Sequence, residues 1–387
     1  MRNFTFLLLL CLGTINFSMA QWTQLSPGIM ITFKGVYFFN PDTGIVVGAN
    51  GKIIKTTDGG ITWVQKISTT TQELRKIQFL NDNVGYITGN QCILKTTDGG
   101  ETWTNTVPVG THNCYSLFFL DVDLGYVKTD YDVLKTIDGG TTWTITDVEI
   151  TSPGGDQIFF INQDIGFVIG YSGVIKKTTD GGNTWVIKSS TVSQSLESIY
   201  FSNDTIGYVG GAGGTILKTT DGGETWTDIN TIFSWSTPET FFLDEDLGYV
   251  ISNYRLIAKT TDGGMTWSVC DMGPGYLSDI YFVNADIGYV VGNGVIYKTT
   301  NGGDCSTTPV DEASTTEFNL YPNPTNNRQI TIETVGPIIN VQCYNLMGQL
   351  LFQTNEKVLY LNDLSQGTYL ITVRTDKNCF TKKVIVQ

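Results

Sequence analysis

The chain has 387 residues and a formal net charge of −14, from 37 acidic and 23 basic side chains. This length allows two or three domains, and an apolar content of 41% excludes wholesale disorder. The acidic balance argues against nucleic acid or anionic lipid as partners, and the single histidine excludes multi-histidine metal sites. Abundant glycine (43) and aromatic residues (20 Phe, 18 Tyr and 8 Trp) favour an all-β fold of short strands and tight turns.

Residues 1–20 have the pattern of a secretory signal peptide. Arg2 precedes an apolar run from Phe4 to Leu12, and a small-residue cleavage pattern ends at Ala20. The run is about half as long as the ~20 apolar residues that a membrane-spanning helix needs. We therefore predict export of the chain without a membrane span, into an oxidising environment where disulfides persist.

Two sequence motifs recur along the middle of the chain with a period of 40–42 residues. The motif T-x-D-G-G-x-T-W has its tryptophan at Trp63, Trp103, Trp143, Trp185, Trp226 and Trp267. A second motif, Phe-x-(Asn/Asp)-x-x-x-Gly, begins at Phe38, Phe79, Phe119, Phe160, Phe201, Phe242 and Phe282. Each unit contains four short strand-like segments separated by turn residues, which is typical of a β-propeller blade. Seven units predict seven blades.

The seventh unit lacks a final tryptophan segment, and a matching segment precedes the first unit. Trp22 lies 16 residues before Phe38, the same spacing that separates Trp63 from Phe79. We predict that the segment from Gln21 to Leu25 supplies the fourth strand of the last blade. Such a strand closes the ring over residues 21–305 and removes its exposed sheet edges.

The T-x-D-G-G-x-T-W motif resembles the Asp-box (BNR-like) repeat of sialidases, sortilin-like receptors and photosystem II assembly-factor propellers. In those families the motif forms the turn between the third and fourth strands of a blade. An aspartate that begins a turn accepts backbone N–H bonds, and glycine supplies positive φ. We therefore interpret the box aspartates as structural; they are Asp58, Asp98, Asp138, Asp180, Asp221 and Asp262. Calcium at individual boxes is the alternative, and no other cofactor is predicted.

The arginine content of the ring decides against a sialidase. A sialidase binds the carboxylate of its substrate with three arginines, whereas residues 21–305 contain only Arg75 and Arg255.

A glycoside hydrolase with a carboxylate pair is the alternative to a non-catalytic role. Its candidate acids, on the face opposite the boxes, are Glu73, Asp130, Asp132, Asp156 and Glu239. The doublets Asp121/Asp123 and Asp244/Asp246 fall in the repeated first turn and are interpreted as turn residues. A third possibility is an assembly factor similar to the photosystem proteins.

The unrepeated loops opposite the Asp boxes are where we predict ligand binding, because repeated turns serve stability. Their aromatic and arginine side chains are common binding anchors. The candidates are Arg75, Tyr131, Tyr171, Trp235, Tyr254, Arg255 and Tyr276. Trp235 is the first choice because it is the tryptophan outside the repeat pattern. The alternative is that these residues pack between blades. A protein or a glycan is the expected ligand of this non-catalytic binding or adhesion propeller.

A polar linker at residues 306–316 separates the ring from a C-terminal segment at residues 317–387, where alternating apolar residues predict a small β-sandwich. The segment closely resembles the type A C-terminal sorting domain of the type IX secretion system of Bacteroidota. The resemblance rests on Tyr321-Pro322-Asn323-Pro324, on Gly348, on Gly367-Thr368-Tyr369 and on Lys383-Val384 near the end. It implies that the secretion machinery is a partner, and that the chain passes through the periplasm to the cell surface or the medium. A fibronectin-like binding module is the alternative.

Two cysteine pairs are candidates for disulfides. Cys92 and Cys114 are predicted in loops on the same face of neighbouring blades. Cys343 and Cys379 form the second candidate pair, in the C-terminal domain, with ordinary buried thiols as the alternative.

Overall fold

The computed structural model describes residues 22–106, 113–146, 148, 157–229, 236–237, 239–304, 319–326, 328–333, 337–345, 350–375 and 379–387. The predicted signal peptide, Trp235, Asp156 and the predicted linker lie outside the described residues. The chain divides into two compact units, Met1–Ser306 and Thr307–Gln387. Among the described residues, no helix has the length and apolar character needed to cross a bilayer.

The first unit contains seven four-stranded antiparallel sheets within its described residues. The first strand of the chain is β1 (Thr23–Leu25), and blade 1 follows with β2 (Phe33–Phe38), β3 (Gly44–Gly48), β4 (Lys52–Thr56) and β5 (Val64–Lys66). Blade 2 contains β6 (Leu74–Phe79), β7 (Gly85–Gly89), β8 (Cys92–Thr96) and β9 (Thr104–Asn105). Blade 3 contains β10 (Cys114–Phe119), β11 (Gly125–Thr129), β12 (Val133–Thr136) and β13 (Thr144–Thr146).

The remaining blades have the same order of strands. Blade 4 contains β14 (Ile158–Phe160), β15 (Gly166–Ile169), β16 (Ile175–Thr178) and β17 (Val186–Lys188). Blade 5 contains β18 (Leu196–Phe201), β19 (Gly207–Gly211), β20 (Ile216–Thr219) and β21 (Thr227–Asp228). Blade 6 contains β22 (Glu239–Phe242), β23 (Gly248–Ile251), β24 (Leu256–Thr260) and β25 (Ser268–Asp271). Blade 7 contains β26 (Leu277–Phe282), β27 (Gly288–Gly292) and β28 (Val295–Thr299). Short 3-10 turns occur at Ala49–Gly51, Tyr171–Gly173 and Ala212–Gly214.

The first strand of every blade lies at the centre of the ring. β2 contacts both β6 and β26, and each later first strand contacts the next one around the ring. The second strands are buried along their whole length, whereas β5, β9, β13 and β21 carry mostly exposed residues. The seven first strands therefore surround a central channel, as in a β-propeller.

The N-terminal strand closes the ring as predicted. β1 pairs antiparallel with β28, with Thr23 opposite Lys298 and Leu25 opposite Ile296. Trp22 is 7% exposed and packs edge-on against Phe282, with 6.0 Å between ring centroids. The last blade thus obtains its fourth strand from the other end of the described ring, and the predicted seven-bladed fold is confirmed.

One inter-blade contact recurs around the ring. The lysine at the same place in each third strand reaches the glycine-rich turn of the next blade. Lys95 Nζ donates to the Gly139 carbonyl at 2.7 Å and lies 5.5 Å from the Tyr86 ring centroid. Lys298 of blade 7 donates to the Gly59 carbonyl of blade 1 at 3.1 Å. Neighbouring blades are therefore joined by a charge-assisted bond, including the pair at the closure.

The second unit is a small β-sandwich. One sheet contains β29 (Asn319–Tyr321), β30 (Gln329–Glu333) and β33 (Val358–Tyr360). The other contains β31 (Ile338–Tyr344), β32 (Leu350–Thr354), β34 (Gly367–Thr375) and β35 (Cys379–Val386). Both sheets contribute to one apolar core, for example through Ile330 and Leu359 from the first sheet and Val341 and Ile371 from the second.

The two predicted disulfides are not formed. Cys92 and Cys114 are reduced, buried thiols in strands rather than loops. Cys92 packs in the cluster between blades 1 and 2, whereas Cys114 packs in the cluster between blades 2 and 3. Cys343 is also a reduced, buried thiol. Its strand, β31, is separated from the strand of Cys379, β35, by β34, and two strand spacings of about 4.8 Å exceed the Cα separation of a disulfide.

A candidate binding site at the channel mouth

The Asp boxes occupy one face of the ring, which we call the Asp-box face. In the first box, Asp58 Oδ1 accepts the hydroxyl of Thr56 and the backbone N–H of Thr62, both at 2.8 Å. Asp58 Oδ2 accepts the Thr62 hydroxyl at 2.5 Å. These bonds lower the pKa of Asp58 to about 2, and the bonds from Thr62 have the largest effect. The carboxylate is thus used inside its own turn, which supports the structural interpretation.

The same bonds recur in the other boxes, those of Asp98, Asp138, Asp180, Asp221 and Asp262. The aspartate doublets on this face are also turn residues. Asp121 Oδ1 accepts the backbone N–H groups of Asp123 and Leu124 at 2.8 and 2.7 Å, and Asp244 makes the equivalent bonds. No cluster of three or more potential metal-ligating acids, cysteines or histidines occurs among the described residues.

The opposite face, which we call the mouth face, carries the turns between second and third strands. Here the channel is lined by residues at fixed offsets before each repeated phenylalanine. The residues four positions before each of these phenylalanines form the mouth layer. Those that the structure describes are Lys34, Arg75, Tyr115, Glu197 and Ser278. The residues three positions before each phenylalanine form the ion layer, whose larger side chains are Lys76, Gln157, Glu239 and Asp279. The aromatic residues one position before each phenylalanine form the aromatic layer. They are Tyr37, Phe118, Phe159, Tyr200, Phe241 and Tyr281.

The aromatic layer fills the channel toward the Asp-box face. Successive ring centroids lie 4.8 Å apart for Phe118 and Phe159, 5.7 Å for Phe159 and Tyr200, and 5.5 Å for Tyr200 and Phe241. Tyr281 continues the series at 6.0 Å from Phe241. The aromatic side chains thus pack against one another around the axis, at distances typical of favourable ring pairs.

The ion layer joins distant blades across the channel. Lys76 Nζ bonds to Glu239 and lies 3.0 Å from Asp279 Oδ1. Gln157 Nε2 donates to both carboxylate oxygens of Glu239 at 2.9 Å, and the Val36 N–H donates to Asp279 Oδ2 at 2.8 Å. Burial raises the pKa of Glu239, and Lys76 opposes that shift. Burial alone would lower the pKa of Lys76, but the charges of Asp279 and Glu239 raise it above its ordinary value.

A cavity of about 230 Å³ opens above the ion layer, and we call it the mouth pocket. Residues from all seven blades line it: Lys34, Arg75, Lys76, Tyr115, Gln157, Glu197, Asn253, Tyr276, Leu277 and Ser278. Since the lining side chains differ from blade to blade, the pocket has no rotational symmetry despite the repeated scaffold.

Arg75 is held in place on one wall of the mouth pocket. Its Nε and Nη2 donate to Asn90 Oδ1 at 3.1 and 2.9 Å, and its Nη2 lies 3.1 Å from Glu73 Oε1. The guanidinium carbon lies 4.6 Å from the ring centroid of Tyr115, whose hydroxyl donates to Asp130 at 2.8 Å. Hydrogen bonds and a cation–π contact thus orient the guanidinium before any ligand arrives.

Two other charged groups line the pocket without an ion-pair partner in the described part of the chain. Lys34 is half-buried and has neither a hydrogen bond nor an ion pair there. Glu197 is half-buried and accepts the hydroxyl of Ser236. Burial raises the pKa of Glu197, while the Ser236 bond opposes the shift.

The mouth pocket includes two of the residues predicted to bind ligand, Arg75 and Tyr276. Arg75 lies in strand β6 and not in a loop as predicted. Tyr131, Tyr171 and Tyr254 are 43, 46 and 62% exposed in turns between second and third strands, so they lie on the mouth face but outside the pocket lining.

Arg255 also lies in such a turn, in blade 6. Its Nη2 donates to the Asn293 carbonyl at 2.9 Å, across to blade 7. Its side chain thus packs between blades, as the alternative interpretation of this group allowed. Glu239, one of the candidate acids, belongs to the ion layer.

Sequence reasoning missed Lys34, Lys76, Gln157, Glu197 and Asp279 as site residues. The available signal was the alignment of the repeats. At the ion-layer offset the seven residues are Gly35, Lys76, Ser116, Gln157, Ser198, Glu239 and Asp279, although the phenylalanine three positions later never changes. Variation at one offset inside a strand that is otherwise regular marks the wall of the channel.

Comparison with known proteins places both parts of the chain. Residues 15–112 and 141–234 match the family of the photosynthesis system II assembly factor YCF48. Residues 319–387 match the secretion system C-terminal sorting domain. The chain is therefore an exported Asp-box propeller, similar to the assembly-factor propellers, followed by a type IX C-terminal sorting domain. That domain directs the chain to the cell surface or the extracellular space. No match was found among the curated proteins.

Solved structures agree with the propeller fold. The chain is similar to YCF48 bound to a D1 peptide, with 19% identity and a TM-score of 0.63 over 74% of this chain and 98% of that one. YCF48 from Cyanidioschyzon merolae gives 18% identity and a TM-score of 0.62 over 72 and 98%. PorZ is described as an essential surface component of the type-IX secretion system of Porphyromonas gingivalis. It gives 10% identity and a TM-score of 0.55 over 94% of this chain and 60% of PorZ. At these identities the likeness shows the fold alone.

Proposed function

We propose that the ring is a non-catalytic binding or adhesion module that takes its ligand at the mouth pocket after export. The observation that carries this proposal is the convergence of unrepeated charged and aromatic side chains on one cavity of about 230 Å³. Arg75 is already oriented there by Asn90, Glu73 and Tyr115, so binding would cost little side-chain ordering.

The exposed tyrosines of the mouth face would extend the contact to a larger ligand. Tyr131, Tyr171 and Tyr254 are exposed in turns of the mouth face on blades 3, 4 and 6. Tyrosine combines an apolar ring with a polar tip, so it suits both proteins and glycans. One of the similar structures contains YCF48 with a D1 peptide, which makes a peptide segment of a partner protein a reasonable ligand to test.

The experiment is a glycan-array and pull-down screen of the exported chain, followed by affinity measurements on variants. Arg75→Ala and Tyr276→Ala should each weaken binding of the identified ligand by about tenfold or more, because each removes an anchor of the pocket. Met265→Ala is the matched control, since Met265 is 74% exposed in an Asp-box turn. Unchanged affinity in both pocket variants would contradict the proposal, and so would an equal loss in the control.

A glycoside hydrolase remains the second candidate because of one observation. Glu197 lines the pocket with a raised pKa, and Glu239 lies in the adjacent ion layer, also with a raised pKa. A general acid needs such a shift, although Glu239 is engaged by Lys76 and Gln157. Release of sugar from a glycan substrate that stops in Glu197→Gln would favour this candidate over the binding module.

A further inference from the structure

The mouth pocket is electrically polarised across its width. Lys34 belongs to blade 1 and Arg75 to blade 2, whereas Glu197 belongs to blade 5. In a closed ring of seven blades, blade 5 lies nearly opposite blades 1 and 2. Arg75 is paired with Glu73, so Lys34 is the lining cation without an ion-pair partner in the described residues, and the carboxylate of Glu197 lies on the facing wall.

The charges of Lys34 and Glu197 are not neutralised by each other or by the ion layer below. Lys34 has no ion-pair partner in the described part of the chain, and Glu197 accepts a bond from the neutral Ser236. Lys76 in the ion layer is already paired with Glu239 and Asp279, so it does not compensate Glu197. A half-buried charge without a partner loses hydration without regaining it from the protein. A ligand that carries both signs would restore a partner to each wall at once.

The size and the remaining walls of the pocket narrow the ligand class. A cavity of about 230 Å³ is smaller than the roughly 300–1,000 Å³ of pockets for drug-sized ligands. Tyr115 and Tyr276 contribute aromatic surface, against which an apolar body or an ammonium group packs well.

Resting on the proposed function of the mouth pocket, we propose that its ligand is a small zwitterion of the size of a free amino acid or a dipeptide. The anionic end contacts Lys34 and Arg75, and the ammonium end contacts Glu197. A ligand with a single charge satisfies only one wall and binds more weakly.

The test is isothermal titration calorimetry of the whole exported chain with a panel of free amino acids and unblocked dipeptides. For any member that binds, its N-acetylated and its C-amidated forms should each bind about 10- to 100-fold more weakly, since each form loses one charge-assisted contact. A panel without a binder, or blocked forms that bind as well as the unblocked one, would overturn the proposal.

Two variants assign the two walls separately. Lys34→Met should weaken binding of the unblocked ligand but leave binding of its C-amidated form unchanged. Glu197→Gln should weaken binding of the unblocked ligand but leave its N-acetylated form unchanged. Lys52→Met is the control, because Lys52 donates to Gln65 outside the mouth pocket. Melting curves equal to wild type show that each variant folds. Equal losses for blocked and unblocked forms would contradict the assignment of walls.

The outcome separates this inference from the proposed function. If Arg75→Ala and Tyr276→Ala still abolish capture of a protein or glycan while no zwitterion binds, the inference fails and the proposed binding role stands. If neither class of ligand responds to the pocket variants, both fail.

Discussion

The Asp-box face and the mouth face are built by the same strands but differ in how far they repeat. On the Asp-box face, six aspartates make the same bonds inside six equivalent turns. On the mouth face, the lining changes from Lys34 to Arg75 to Tyr115 between successive blades. In this ring, the residues that repeat from blade to blade stabilise the blades. The residues that differ between blades are the ones that could recognise a specific ligand.

Deleting Trp22–Leu25 tests the repeated scaffold and should have the largest effect. The deletion removes the partner strand of β28 and the buried Trp22 side chain, so the last blade keeps an open edge. We expect loss of the cooperative melting transition and aggregation in size-exclusion chromatography. Thr23→Ala, at an exposed position of the same strand, is the control. A deletion variant that melts like wild type would show that β1 does not hold the ring closed.

Lys76→Met tests an exception to this division between the two faces. Lys76 lies at a position that varies from blade to blade, but its ion pairs should stabilise the fold. The change leaves the carboxylates of Glu239 and Asp279 buried without their cation. Breaking a buried ion pair from one side costs about 3–5 kcal/mol of unfolding free energy. Denaturant titration should show this loss. Adding Glu239→Gln should restore part of it. A single variant as stable as wild type would mean that the ion layer does not contribute to stability.

Lys95→Met probes a repeated contact and should have a moderate effect. The variant loses the bond to the Gly139 carbonyl and the contact with the Tyr86 ring. A hydrogen bond from a charged group contributes about 1.5–3 kcal/mol, so unfolding free energy should fall by that amount. Affinity for a mouth-pocket ligand should not change. A loss of affinity without a loss of stability would contradict the assignment of stability to the repeated residues and of binding to the unrepeated ones.

The pH dependence of stability should show a smaller contribution from the Asp-box face. The pKa values of Asp58, Asp180 and Asp221 are lowered to about 2 from 3.8, chiefly by hydrogen bonds from threonines. A lowered pKa in the folded state contributes stability above pH 3.8, and this contribution disappears as the pH falls toward 2. Melting temperature should therefore drop between about pH 4 and pH 2, and Asp221→Asn should flatten that drop. An unchanged profile in the variant would argue against this source of stability.

The spacing of repeats was sufficient to predict the blades and their closure. Trp22 could be assigned to the last blade because its distance from Phe38 equals the distance within complete units. The pairing of Cys92 with Cys114 was predicted wrongly, because position along the sequence does not tell which side of a blade a side chain faces.

The mouth pocket was predictable only in part. Arg75 and Tyr276 stood out by residue type. Lys34 and Glu197 did not, although Lys34, Arg75 and Glu197 occupy the same offset in the first strands of their blades. Their proximity depends on the closed ring, which brings blade 1 and blade 5 to opposite walls of one channel. Charges that are 163 residues apart in sequence therefore carry no local signal of a shared site.

The most direct test is to compare the two faces with one ligand. Affinity for the identified ligand is measured for Tyr276→Ala and Asp98→Ala below their melting temperatures, together with the melting temperatures themselves. We predict that Tyr276→Ala loses affinity and keeps its melting temperature, while Asp98→Ala keeps affinity and melts earlier. Loss of affinity in folded Asp98→Ala, with full affinity in Tyr276→Ala, would contradict the assignment of binding to the mouth face.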